Sequence, residues 1–148
     1  MILRSVPPAE EEVDDPRFLE VYQHATELYG LLHARYINTP EGLAIMRERY
    51  LGGRFGNCPR VMCEKQNVLP IAISEDTKIA RVKVFCPRCN DIYAPKKKSA
   101  DADGAYFGTS FPHLLLMTYP DLKPHFPREP FHPRIFGFRI EPNSEPAS

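Results

Sequence analysis

Cys58, Cys63, Cys86 and Cys89 fall in two tight pairs, CPRVMC and CPRC, divided by the stretch Glu64 to Phe85. Thiolates carried on two such short turns can converge on one tetrahedral Zn²⁺ at about 2.3 Å, and four sulfurs close the shell, leaving no position for water. The spacing is that of a zinc ribbon, so one structural ion per chain is expected and metal catalysis is not. Two other uses of the same thiols stay open. Disulfides would have three possible connectivities, but Met1-Ile2-Leu3 runs straight into Arg4, Pro7, Pro8 and an acidic run, so no apolar leader marks the chain for an oxidising compartment. Cytoplasmic and nuclear residence is the expectation. Redox chemistry at Cys86 and Cys89 is the other use; the second, CxxxxC pair and the lack of a thioredoxin-like βαβ pattern favour metal.

No catalytic constellation emerges beside the cysteines. His24, His33, His113, His125 and His132 have no matched Ser or Cys nucleophile, and no GxxxxGK[ST] or GxGxxG loop is present to cradle phosphates. A catalytic role is therefore not expected. Nineteen basic and nineteen acidic residues among 148 cancel, so overall charge gives no reason to expect nucleic acid. No apolar run is long enough for a membrane span. Charge is concentrated locally instead. Glu10, Glu11, Glu12, Asp14 and Asp15 form an acidic arm suited to polycations, and Lys96, Lys97 and Lys98 form a basic run in a loop.

The elements that must position these residues follow from pattern. Asp15 as N-cap and Pro16 at the first helical position predict a helix, along which Phe18, Val21, Tyr22, Ala25, Leu28, Tyr29, Leu32 and Tyr36 recur at three- and four-residue steps. That stripe is expected in the core. After a short turn at Ile37 to Thr39, a second helix opens at Thr39-Pro40, carries Leu43, Met46 and Tyr50 on one face and stops at Gly52-Gly53. From Phe55 onward, Val61-Met62, Val82 to Phe85 and Ile92-Tyr93 predict about three short antiparallel strands around the metal. A polar loop over 99–104 leads to the apolar segment Phe111 to Tyr119, expected as a buried helix. Prolines punctuate 120–133, and Arg134 to Ile140 reads as an extended strand on which Phe136 and Phe138 point one way and Ile135 the other. Aromatic anchors on an otherwise loop-like tail are the residue types that dominate interface energetics; an ordinary edge strand packing its own core is the other reading of the pattern.

The fold class expected is α+β. It comprises an acidic arm (1–15), a helical domain (16–54, with the helix 111–119 packed on it), a small antiparallel zinc ribbon of rubredoxin-like form (55–110) and a C-terminal tail (120–148).

Several motifs stand together in one order: LYGLLHARYI (28–37), FGNCPRV (55–61) with Cys63, FCPRC (85–89), DGAYFG (103–108) and PRIFGF (133–138). In that order, across roughly residues 16 to 142, the chain closely resembles the regulatory beta subunits of protein kinase casein kinase II. The resemblance implies a non-catalytic homodimer held mainly through zinc ribbons, on which two catalytic alpha subunits dock. Carried over residue by residue, it makes Cys58, Cys63, Cys86 and Cys89 the zinc ligands. It also makes Arg134, Ile135, Phe136, Phe138 and Ile140 the docking strand for the catalytic subunit. Glu10, Glu11, Glu12, Asp14 and Asp15 become the acidic loop that senses polyamines and basic substrates.

Two departures matter. Many family members carry Tyr where this chain has Phe136, which keeps the ring and removes a possible hydrogen bond of roughly 0.5 to 1.5 kcal/mol. The family's serine cluster, phosphorylated by the holoenzyme, would precede the acidic loop and has no counterpart here, so autophosphorylation is not expected of this sequence. The rival reading is a zinc-ribbon nucleic-acid module with Lys96 to Lys98, Arg60 and Arg88 on phosphates, which zero net charge and the acidic arm oppose.

Overall fold

Helix α1 (Pro16–Tyr36) begins where a capping side chain and a proline coincide. The Asp15 carboxylate accepts from the Arg17 amide at 3.0 Å, which satisfies one of the donors a helix start leaves free, and Pro16 loses nothing at the first position because its missing N–H would have had no partner. The computed structural model describes residues 15–96, 101–125 and 132–140. The acidic residues Glu10, Glu11, Glu12 and Asp14, together with Lys97 and Lys98, lie outside that range.

The face that α1 turns to the body is not the apolar stripe. Gly30 is its buried residue, lying beneath the ring of Tyr106. His33 donates through Nδ1 to the Tyr106 carbonyl at 2.7 Å and sets its ring edge-on to Phe107. Glu27 accepts from the Thr77 hydroxyl and pairs with Lys78 at 3.4 Å. At 100° per residue, Val21, Leu28 and Leu32 lie about 160–180° around the helix from Gly30, and they are exposed, as are Tyr22, Tyr29 and Tyr36. The expected core stripe is thus a solvent-facing one. Periodicity shows that a helix has an apolar face; what that face meets is set by contacts distant in sequence.

Helix α2 (Pro40–Leu51) is capped by Thr39, whose Oγ1 accepts from the Gly42 amide at 3.2 Å. Gly42 itself is packed against the end of α1, where a Cβ would fall 2.1 Å from the Tyr36 carbonyl oxygen. Leu43, Met46 and Tyr50 are buried as their spacing predicts. They join Ile37, Leu69, Ile71, Phe85 and the helix α3 (Phe111–Thr118) in one core, with Phe111 and Leu115 fully enclosed. Helix α3 is buried on one face only, since Met117 is 70 % exposed and Leu114 also reaches solvent.

Three short strands form an antiparallel sheet in chain order: β1 (Leu69–Ile71), β2 (Lys83–Cys86) and β3 (Asp91–Tyr93). Val84 is the hinge of the register, paired with Pro70 on one side and Tyr93 on the other. Proline is tolerated because β1 is an edge. Val61-Met62, expected as a strand, is instead part of a 3₁₀ turn, Val61–Cys63, closed by the Cys63 amide on the Arg60 carbonyl at 3.0 Å.

The segment Arg134 to Ile140 is not one extended strand. It folds back on itself as β4 (Arg134–Ile135) and β5 (Phe138–Arg139), with Phe136 and Gly137 at the turn. Both turn residues have positive φ, 49° and 86°, the signature of the I′ hairpin turn that matches strand twist. Ile135 and Phe138 are cross-strand partners, so they project from the same face and Phe136 occupies the tip, the reverse of the expected grouping.

Candidate functional site

Two knuckles bring the four cysteines together. The first runs from Cys58, whose amide donates to the Gln66 carbonyl at 2.8 Å, through the 3₁₀ turn to Cys63. Glu64 and Lys65 then turn the chain back with φ of 56° each. Left-handed backbone at two successive non-glycine residues is uncommon, and it is held here by Asn57, whose Nδ2 donates to the Lys65 carbonyl at 2.9 Å and to Asn67 Oδ1 at 2.8 Å. The second knuckle leaves β2 at Cys86, closes with the Asn90 amide on the Cys86 carbonyl at 2.8 Å, and directs the Cys89 amide toward Cys86 Sγ at 3.4 Å.

All four Sγ atoms lie within 4.8 Å of one another, and all four residues are buried and carry free thiols. Cys58 and Cys89 sulfurs are 3.8 Å apart, Cys63 and Cys86 sulfurs 3.5 Å. A tetrahedron with metal–sulfur bonds of about 2.3 Å needs edges of about 3.8 Å, so the cluster has the dimensions of a closed metal site, with a donor set that suits Zn²⁺. Among the described residues this is the one group of three or more potential ligands so close together.

The surroundings set the thiols apart. Burial, reinforced by the Cys89 thiol, pushes the Cys63 thiol up to about 11, and burial raises Cys86 as well. Burial also acts to raise Cys89, but hydrogen bonds from Cys63, Tyr93, Arg60 and Cys58 outweigh it and bring that thiol down to about 7. Without metal, Cys89 thus deprotonates ahead of Cys63 and Cys86 while its neighbours donate to it. A dication would take over the role of those donors. Around the ligands, Val68, Val84 and Tyr93 form a small apolar shell. Arg88 ties one knuckle to the other, pairing with Glu64 at 2.8 Å and reaching the Cys63 carbonyl at 3.4 Å.

The Glu64–Arg88 pair and the approach of Tyr93 and Arg60 to Cys89 escaped the sequence reading. Their one visible signal is position, since Glu64 directly follows Cys63 and Arg88 directly precedes Cys89. Arg60 and Arg88, named above as candidate phosphate contacts, are thereby engaged with the cluster itself.

The other expected site residues form a separate feature. Every residue from His132 to Ile140 is exposed, with Phe136 at 96 % and Phe138 at 79 %. The hairpin is braced by the Ile140 amide on the Pro133 carbonyl at 3.0 Å and by Arg139 donating to His132 Nδ1 at 2.9 Å. Of the acidic arm, Asp15 is placed, as the cap of α1. The first knuckle carries its own exposed apolar pair, Val61 at 94 % and Met62 at 63 %.

Residues 1–139 match the family model described as casein kinase II regulatory subunit. The chain is 51 % identical over 137 residues to casein kinase II subunit beta of Dictyostelium discoideum, covering 88 % of this chain and 51 % of that protein. It is 50 % identical over 135 residues to the subunit of the same name in Schizosaccharomyces pombe, covering 90 % and 57 %. It is 44 % identical over 132 residues to casein kinase II subunit beta' of Drosophila melanogaster, covering 88 % and 60 %. The chain therefore spans about half to three-fifths of the length of these relatives. Among the described residues no helix is long and apolar enough to cross a membrane.

Proposed function

The chain belongs to the casein kinase II regulatory-subunit family, and on that footing we propose that it acts as a non-catalytic regulator of that Ser/Thr kinase, docking on catalytic alpha subunits through the hairpin Arg134 to Ile140. The observation that carries this reading is the exposure of two aromatic rings, Phe136 and Phe138, on a short hairpin whose tip holds phenylalanine at positive φ. Left-handed backbone costs a non-glycine residue roughly 1–2 kcal/mol. Among the described residues nothing covers that ring, whereas a partner's pocket would, since buried aromatic anchors are the residues on which interface affinity concentrates.

The cysteine cluster supplies the platform. One Zn²⁺ per chain on Cys58, Cys63, Cys86 and Cys89 would fix both knuckles, and a domain this small needs the stabilisation, on the order of 10 kcal/mol in finger peptides. The role of the four cysteines toward such an ion would be structural, since four thiolates would close its shell. With the knuckles rigid, Val61 and Met62 stand out as an apolar patch suited to a second copy, and an isologous pair would present two equivalent docking hairpins. Binding only the active conformation of the kinase would stabilise it by mass action. Glu10, Glu11, Glu12, Asp14 and Asp15 would add attraction for basic substrates or polyamines and so shift substrate choice.

The nucleic-acid module is the weaker alternative, because two of its candidate contacts, Arg60 and Arg88, attend the thiol cluster. A pull-down of casein kinase II catalytic subunit by the zinc-loaded chain, beside the Phe136→Ala, Phe138→Ala double variant, separates the readings. Retention by the unaltered chain and loss in the variant support docking through the hairpin. Equal retention, or none by either protein, removes it.

A further inference from the structure

A second feature lies where the end of α2 meets the sheet. A recess of about 550 Å³ opens there, floored by Phe55, Val84 and Phe107 and rimmed by Arg54, Lys65 and Lys96. That volume is within the range of ligand-binding clefts, which pair an apolar floor with a few placed polar groups. None of its described lining residues is acidic.

The placement of the three cations is built into the fold. Lys65 projects from the left-handed turn of the first knuckle, with its carbonyl held by Asn57. Arg54 follows Gly53, whose φ of 63° ends α2. Lys96 follows the exit of β3 and is the described member of the basic run Lys96 to Lys98. They come from three separate segments and all are exposed. A compact inorganic anion calls for buried donors converging on one point, whereas dispersed exposed cations around an apolar floor match carboxylates strung along a chain with a bulky side chain between them.

We infer that this recess is a docking site for a short acidic peptide segment of a partner protein, its carboxylates on Arg54, Lys65 and Lys96 and one large apolar side chain seated against Phe55 and Phe107. The site is distinct in residues and in charge from the aromatic hairpin, and it does not depend on the kinase reading.

The test uses the zinc-loaded full chain and a fluorescein-labelled peptide of glutamates flanking one central phenylalanine, followed by anisotropy. Saturable binding is expected, weakened about tenfold or more by Lys65→Glu with Lys96→Glu. Ala94→Trp, which fills the recess without changing its charge, should weaken it to a similar extent, and so should removing the phenylalanine from the peptide. Arg54→Glu serves as a second charge reversal outside the knuckle, and metal content with circular dichroism shows that each variant is folded. Binding that survives the reversals, or that is as tight for an all-glutamate peptide, overturns the proposal. Equal competition by an oligothymidylate of matched charge also overturns it, in favour of a nucleic-acid surface.

Discussion

The ring of Tyr106 lies directly on Gly30, so close that a Cβ built on that glycine would fall 2.2 Å from a ring carbon. This one contact seats a 21-residue helix on the body of the molecule, and the His33–Tyr106 carbonyl bond and the Glu27–Lys78 pair then fix its rotation. It also explains why the apolar stripe of α1 faces outward. The helix docks by its smallest residue, because only there does the backbone come near enough for a tyrosine ring to cover it.

Gly30→Ala should therefore destabilise the protein, although alanine in a mid-helix position ordinarily gains about 1 kcal/mol over glycine. Forcing the ring away costs typically 1–3 kcal/mol, which leaves a net loss and a lower midpoint in thermal denaturation. Adding Tyr106→Ala should recover part of that loss, since the methyl then meets space. A midpoint that rises in the single variant would show that the ring moves aside freely.

Cys86→Ser should abolish stoichiometric metal binding and unfold more than the sheet. Phe85, its neighbour, belongs to the core shared with Leu43, Met46 and Phe111, so collapse of the knuckle withdraws a side chain on which α2 and α3 pack. Metal analysis by emission spectroscopy and far-ultraviolet circular dichroism should both change, with loss of helical signal as well. Retained helical signal on metal loss would separate the two cores.

Metal affinity should increase with pH. Ligation requires thiolates, and Cys63, held up at about 11, and Cys86, also raised, are protonated in metal-free protein at neutral pH. Each proton displaced makes binding about tenfold tighter per pH unit until that thiol's own range is reached. Competition with a chromophoric chelator in mildly acidic and mildly alkaline buffer measures the slope. A flat profile would mean that the thiols are already ionised before the metal arrives.

Local features of this fold were legible and distant ones were not. Asp15, Thr39 and the Leu43, Met46, Tyr50 face follow from caps and periodicity within a few residues, and the cysteine cluster follows from knuckle spacing alone. Val61-Met62 has the composition of a strand, yet its backbone is bent between two ligands into a turn. Strand β1 went unread because it is three residues long, contains Pro70, and gains its identity from Val84. The hairpin at Phe136 was hidden for a different reason. Phenylalanine is a poor choice for positive φ, and Gly137 was the single hint of a turn.

The attachment of α1 should weaken in acid. Hydrogen bonding from Thr77, and then from Lys78, holds the Glu27 carboxyl below its ordinary range. A depressed folded value means that the contribution is fully present above the unfolded carboxylate range and fades as pH falls through the folded value. Amide protection in the Thr77–Lys78 loop, taken as exchange relative to its intrinsic rate at each pH, should fall in acid for the unaltered chain. Glu27→Gln should show faster exchange at neutral pH and lose that acid dependence. Identical acid profiles in the two proteins would assign the effect to another group.

Phe136→Asn separates the shape of the hairpin from the chemistry of its tip. Asparagine followed by glycine is the pair that I′ turns favour, because asparagine accepts positive φ at lower cost than phenylalanine, so β4 and β5 should pair at least as well as before. Docking to the catalytic subunit should nonetheless fall by about thirtyfold, the scale of losing an aromatic hot spot of about 2 kcal/mol. Phe136→Tyr keeps the ring and should bind close to the unaltered chain. Titration calorimetry gives the affinities, and cross-strand nuclear Overhauser effects between Ile135 and Phe138 report the hairpin. An asparagine variant that docks normally would mean the turn presents Phe138 and Ile135 and that the tip ring is a bystander. A variant that loses both pairing and docking would instead assign Phe136 a role in holding the hairpin.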